Sequence, residues 1–248
     1  MTLPPLGVQP NIFREMTKES PGAVLDHVVE AGFQAVEIGP IAGHDVPSLL
    51  AARGLRACGP HTMISSGEST GEWMAFCEAT GAQDVCTSGL LRWGGLSVDD
   101  YLRGAEELNR RGEQLRRQEI HLHYHHHGFE FERLAGELTG MEFLLQHLDP
   151  GVVDICVDVG WMVRSGKDPV AFLEEHGRRV GYLHLKDYRP PEEWCPLGTG
   201  TVDWDGVWAS VRKVPSLRWL VVEQDRPVSD AVAELKVSRA FLRSELGV

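Results

Sequence analysis

Two carboxylates and an imidazole occupy matching places in three separated apolar runs of this chain. Asp158 closes Asp154-Ile155-Cys156-Val157-Asp158, and His184 lies in Gly181-Tyr182-Leu183-His184-Leu185-Lys186-Asp187. Glu223 closes Trp219-Leu220-Val221-Val222-Glu223. A carboxylate ending a buried apolar strand is costly unless something pairs with it. Asp158 could cap a following helix and His184 could be a satisfied core histidine, but the three together read as ligands of one ion. Two carboxylates and an imidazole suit a borderline divalent metal such as Mn, Co, Zn or Fe; the set is poor for Ca and unlike a structural zinc site. An ion keeping open positions would act as a Lewis acid, polarising a carbonyl or stabilising an enediolate.

The run His121-Leu122-His123-Tyr124-His125-His126-His127-Gly128-Phe129-Glu130-Phe131 is the most unusual stretch. Strand periodicity places His121, His123, His125 and His127 on one face. Four imidazoles cannot all bind one ion, so the first pair is expected to pack or hydrogen-bond in the interior while His125 and His127 reach the strand's far end. Glu130 follows in the loop and could return as a fourth ligand or as a base, with His125 as the other candidate. Glu37 ends Phe33-Gln34-Ala35-Val36-Glu37, where it could bind substrate or pair with a basic residue. His61 follows another apolar run. Lys186 shares the face of His184 and could neutralise a phosphate, carboxylate or enolate oxygen, or pair with Asp187 or Asp158. The Gly198-Thr199-Gly200 turn permits close backbone approach, though it is a weak signal for a phosphate cradle.

Eight short apolar runs position these residues: Leu6–Ile12, Ala35–Ile38, Arg56–Gly59, Asp84–Thr87, Glu119–Tyr124, Val153–Val157, Val180–Leu185 and Trp219–Val222. Between them fall eight helix candidates: Pro21–Ala31, Val46–Arg53, Gly71–Thr80, Val98–Gln118, Met141–Leu148, Pro169–His176, Trp204–Val214 and Asp230–Leu246. Ser20-Pro21 and Asp168-Pro169 read as N-caps with proline at the first helical position. Val24, Leu25, Val28 and Val29 form an apolar stripe. Strict alternation favours a parallel sheet with right-handed crossovers. A count of eight, with no Gly-rich dinucleotide fingerprint, favours a single (β/α)8 TIM barrel over a doubly wound sheet. In such a barrel chemistry gathers at the strand C-terminal ends, and there Glu37, His61, His125, Asp158, His184 and Glu223 converge; the opposite ends show no comparable set. The segment Tyr188–Thr201 reads as a functional loop.

The 248 residues are expected to form one domain, with no linker or low-complexity tract. A net charge of −12 argues against nucleic acid or anionic membrane as partners. Cys58, Cys77, Cys86, Cys156 and Cys195 are scattered without a CxxC pair, as buried reduced thiols would be. The first ten residues lack the features of a signal peptide, and a cytoplasmic location is the default expectation.

Nearly the whole chain resembles the sugar phosphate isomerase/epimerase family, the xylose isomerase-like barrels that include inosose dehydratase, tagatose epimerase and endonuclease IV relatives. The segments that carry the resemblance are Gly7-Val8-Gln9, Glu30-Ala31-Gly32-Phe33-Gln34-Ala35-Val36-Glu37, Tyr124 to Phe131, Asp158-Val159-Gly160-Trp161, His184-Leu185-Lys186-Asp187, Leu197 to Trp204 and Val222-Glu223-Gln224-Asp225. The resemblance implies a divalent metal held by an acidic residue after strand five, by Asp158, by His184 and by Glu223. It also implies two glutamates flanking the substrate while a proton moves next to a carbonyl. Glu223 matches one of them. The other position falls near His125, with Glu130 slightly further on, which leaves the fourth ligand open and weakens a two-base mechanism. Trp161 stands where many relatives carry a histidine, and the additional ligands of the endonuclease branch are missing.

The expected function is therefore a metal-dependent isomerase or epimerase acting on a sugar or sugar derivative. Glu223 would serve as the base, its pKa held near the working pH. Lys186, Glu37, His61 and His127 would contact substrate. A dehydratase of the inosose dehydratase kind, with His125 or His127 as general acid, is the nearest alternative, followed by a non-catalytic sugar-binding barrel. A small sugar-like molecule is the expected partner, and self-association into a homodimer is compatible with the sequence.

Overall fold

Alternating apolar runs and capped amphipathic segments give a closed parallel sheet wrapped by helices. The protein's structure, a computed structural model, describes residues 3–90, 94–134, 136 and 138–247. In chain order its strands and α-helices are β1 (Leu6–Val8), α1 (Arg14–Glu19), α2 (Pro21–Glu30), β2 (Ala35–Glu37), α3 (Val46–Ala51), β3 (Arg56–Gly59), β4 (His61–Met63), α4 (Thr70–Thr80), β5 (Asp84–Ser88), α5 (Val98–Arg116), β6 (His121–His125), α6 (Gly140–His147), β7 (Val153–Asp158), α7 (Val159–Arg164), α8 (Pro169–His176), β8 (Val180–Leu185), β9 (Asp187–Arg189), β10 (Glu193–Cys195), α9 (Trp204–Val211), β11 (Trp219–Val222) and α10 (Ala231–Leu246).

Nine strands pair in parallel in the order β3-β2-β1-β11-β8-β7-β6-β5-β4. Only Pro60 separates the two outermost members, so they are one barrel strand broken in the middle. Its first half pairs with β2 and its second half with β5, which closes a (β/α)8 barrel. The break has a local cause. Gly59 adopts φ +149°, and a Cβ there would lie 2.0 Å from the Asp84 carbonyl oxygen; only glycine tolerates that approach. Pro60 lacks an N–H, yet its carbonyl accepts from the Cys86 N–H at 3.0 Å.

Several elements depart from expectation. The first strand ends at Val8, because Pro10 opens a 3-10 turn capped by the Gln9 side chain, and α1 follows. The extra helix α7 begins directly at the end of β7, with Asp158 as its N-cap. The loop after β8 contains an antiparallel hairpin, β9 with β10. On α2, Val24, Leu25 and Val28 are buried as the stripe requires, but Val29 is 45% exposed.

Strand periodicity fills the barrel interior in tiers. A middle tier contains Ala35, Cys58, Cys86, Cys156, Tyr182 and Val221, all buried. The N-terminal floor is polar, which corrects the expectation that the opposite strand ends carry no comparable set of histidine and carboxylate. There Asp84 accepts from His123 Nε2 at 2.8 Å, from Trp219 Nε1 at 3.1 Å and from the Arg218 guanidinium. Residues from β5, β6 and β11 are brought together by closure alone. No helix among the described residues is long and apolar enough to cross a membrane.

Candidate active site

At the C-terminal end of the barrel, one donor atom each from His125, Asp158, His184 and Glu223 lies within 4.8 Å of the others. All four side chains are buried. They come from the ends of β6, β7 and β8 and from the residue following β11. His125 Nε2 is 3.3 Å from Asp158 Oδ2 and 3.7 Å from Glu223 Oε2, and His184 Nδ1 is 2.9 Å from Glu223 Oε2. Two imidazoles and two carboxylates around one point fit the tetrahedral or five-coordinate sphere of a borderline divalent ion.

Asp158 has two tasks, divided between its oxygens. Oδ1 accepts from the Trp161 N–H at 2.9 Å and starts α7, while Oδ2 faces His125 and Lys186. The capping and ligand readings are thus compatible. On the outer side of the wall, His126 Nε2 accepts from the Asp158 N–H at 3.1 Å. Burial lowers the His126 pKa to about 3, so the ring stays neutral and keeps this acceptor free.

Lys186 lies at the centre of the carboxylates. Its Nζ is 2.9 Å from Glu223 Oε2, 3.2 Å from Asp158 Oδ2 and 3.3 Å from Asp225 Oδ2. A fully buried ammonium is tolerable only with such company, and burial is outweighed by the three carboxylates, which hold its pKa above the ordinary lysine value. Gly160 makes room for it, since a Cβ there would meet the Lys186 side chain at 2.8 Å. The same ammonium and His184 outweigh the effect of burial on Glu223 and keep its carboxyl well below the usual range. Glu223 is therefore ionised throughout the neutral range, rather than poised near the working pH.

Glu37 is 1% exposed and lies beside His184 behind the cluster, away from the residues that line the cleft. Its oxygens take His61 Nδ1 at 2.6 Å and His184 Nε2 at 3.1 Å. Burial is outweighed by these two imidazoles, and the carboxyl sits below its ordinary pKa. Glu130 does not join the cluster. Tyr124 points to the helix side of β6, and Glu130 follows it there, accepting from the Tyr124 hydroxyl at 2.7 Å and the His127 N–H at 2.8 Å. Burial raises its pKa to about 7. The 3-10 turn Phe129–Phe131 turns Glu130 behind the strand, and His125 is the side chain that joins Asp158, His184 and Glu223.

Above the cluster opens a cleft of about 1250 Å³. His61, His127, Trp161, Trp194, Glu223 and Asp225 are among the residues on its walls. Trp161 and Trp194 meet edge to face, with ring centroids 4.8 Å apart. Asp225 and Asn11 were missed by sequence reasoning. Asn11 donates to Asp225 at 2.9 Å, and a period of two from Glu223 was the available signal for Asp225.

The Gly198–Gly200 turn is not a phosphate cradle, because a carboxylate of the chain already fills it. Asp187 accepts from the N–H groups of Gly198 at 2.9 Å, Gly200 at 3.1 Å and Val202 at 3.3 Å, and from Trp204 Nε1 at 3.0 Å. Asp187 is thereby committed to the turn, leaving Lys186 to the cluster. A Cβ on Gly200 would lie 2.2 Å from Asp187 Oδ1 and 2.6 Å from the Tyr188 carbonyl oxygen. Gly200→Ala is expected to lower stability by about 1–3 kcal/mol, measured by urea unfolding; an unchanged midpoint would show that the turn yields freely.

The fold and the donor set define a (β/α)8 barrel with a histidine–carboxylate centre at its C-terminal mouth. The chain belongs to the xylose isomerase-like TIM barrel family, whose model matches residues 25–245. A curated relative, the inosose dehydratase of Lacticaseibacillus casei, is 24% identical over 151 residues, covering 54% of this chain and 50% of that protein. The chain thus spans about half the length of the curated relatives it matches. A sugar phosphate isomerase/epimerase from Parabacteroides distasonis ATCC 8503 superposes with a TM-score of 0.82 at 22% identity, over 99% of this chain and 96% of that one. The IOLI protein, solved with a bound zinc atom, superposes at 0.75 with 12% identity over 97% of each chain. At these identities the structural likenesses establish the fold.

Proposed function

We propose that the protein is a divalent-metal-dependent isomerase or epimerase that moves a proton next to the carbonyl of a sugar or sugar derivative. The observation that carries this reading is the convergence of His125, Asp158, His184 and Glu223 within 4.8 Å at the foot of a large cleft. His125, Asp158, His184 and Glu223 would hold the ion, of the Mn, Co, Zn or Fe type. When bound, a divalent ion supplies Lewis-acid polarisation of substrate oxygens. Glu223, already ionised, accepts the proton from the carbon next to the carbonyl. Lys186 offsets the charge of the surrounding carboxylates and limits how far Glu223 and Asp158 repel a developing enolate. His127 faces the cleft and donates to substrate hydroxyls, His61 lines it with its ring nitrogens turned to Glu37 and Ser88, and Trp161 and Trp194 offer apolar faces to the ring carbons and exclude water.

The runner-up is a dehydratase using the same proton abstraction, with His127 placed to hydrogen-bond a leaving hydroxyl. It is favoured by the inosose dehydratase relatives and by the place of His127 on the cleft wall. Ketoses and keto-sugars incubated in D2O separate the readings. Exchange of the α-proton that is lost on chelation supports proton transfer, and growth of an enone absorbance identifies elimination. Glu223→Gln is expected to slow exchange by roughly 10²–10⁴-fold. Turnover of every tested sugar that survives complete metal removal would sink the mechanism.

A further inference from the structure

Adjoining the proposed metal centre, and reaching one tier deeper at Cys86, lies a second group of donors: Glu37, His61, Cys86 and His184 also place one donor atom each within 4.8 Å of one another. The geometry points to a second, softer metal site in the barrel, held by the Glu37 carboxylate, His61, the Cys86 sulfur and His184 Nε2. The two sites share one ring, since His184 turns Nδ1 to Glu223 and Nε2 to Glu37. Strand pairing sets His61 opposite Cys86, and the Cys86 sulfur lies within 4.8 Å of a ring nitrogen of each imidazole. Glu37, Cys86 and His184 are buried, whereas His61 lines the cleft and gives an ion a path inward.

The chemistry of the donors separates the two sites. The upper one offers two nitrogens and two carboxylate oxygens, compatible with many borderline ions. One sulfur, two nitrogens and one oxygen below form a tetrahedral set suited to Zn or Co and poorly suited to Mn or Mg. The charges around the two groups also differ: Asp158, Glu223 and Asp225 share the Lys186 ammonium, whereas Glu37 pairs with the two imidazoles, so an ion there would take the place of their protons. Binding would release to solvent the protons that now join Glu37 to the imidazoles, together with the thiol proton. This inference rests on the proposed function only through the shared His184.

Titration of the metal-stripped full chain with Co(II) tests it. Two equivalents are expected per chain, one of them accompanied by a near-ultraviolet sulfur-to-cobalt charge-transfer band. Cys86→Ser should lose the band and one equivalent while retaining the other. Asp158→Ala should retain the band and lose the sulfur-free equivalent. A single equivalent without the band in the wild type, or a band that persists in Cys86→Ser, overturns the second site. X-ray absorption on the wild-type protein with two equivalents of Zn needs no variant: a sulfur shell at about 2.3 Å is expected, and a sphere of nitrogen and oxygen alone overturns the inference. If Asp158→Ala binds both equivalents as the wild type does, the upper-site reading fails while the sulfur-bearing site stands.

Discussion

Lys186→Met is expected to destabilise the metal-free protein by about 3–5 kcal/mol, and a divalent ion is expected to return most of that loss. Lys186 is the one ammonium among Asp158, Glu223 and Asp225, each within 3.3 Å of its Nζ. Removing one partner of a buried charge group leaves the others without compensation in a medium that solvates them poorly. Methionine has similar length and keeps the packing against Trp161 and Trp194, whose faces the ammonium now overlies. The loss should therefore report charge rather than a cavity. An ion held by Asp158 and Glu223 would neutralise the same oxygens, and binding to the native state alone adds about 4 kcal/mol at a thousandfold excess over Kd. Thermal or urea melts of both proteins, with a chelator and then with Zn or Mn, make the comparison. An equal deficit with and without metal would mean that Lys186 and the ion do not serve the same carboxylates.

The barrel and the three donors Asp158, His184 and Glu223 were legible for one reason. Each ends an apolar strand, and a closed parallel sheet turns all its strand ends to one mouth. Depth was not legible. Periodicity puts Glu37 on the inner face, but its capture by His61 and His184, which leaves it 1% exposed, follows only from how the sheet closes. Glu130 failed for a different cause, because a 3-10 turn after β6 reverses the side from which it approaches, and the sequence carries no sharp marker for that turn. Asp187 was hidden by its neighbour: Lys186-Asp187 suggests an ion pair, whereas the turn at Gly198–Gly200 claims the carboxylate. The role of Gly160 becomes clear only once Lys186 is seen to be buried against it.

At the opposite end of the barrel, Asp84→Ala is expected to cost about 3–5 kcal/mol. Asp84 and Arg218 are separated by 134 positions in the chain, which is why no local pattern announced the pair. Loss of the carboxylate would leave His123 Nε2 and Trp219 Nε1 as buried donors with no acceptor. The Arg218 side chain is 30% exposed and can recover part of its hydration, so the lower half of the range is the better expectation. In a double-mutant cycle, Asp84→Ala with Arg218→Met should cost less than the sum of the single changes. Acid titration gives an independent reading. Burial opposes the charge on Asp84, but His123 and Arg218 outweigh it and lower its pKa in the folded protein. The unfolded chain then binds more protons than the native one as pH falls through the carboxylate range, so stability present above about pH 3.9 is lost below it. Asp84→Asn should weaken that acid-limb dependence while retaining the side-chain volume. An acid limb identical to that of the wild type would show that Asp84 carries no net electrostatic stabilisation, and that the floor is held by packing around Trp219 alone.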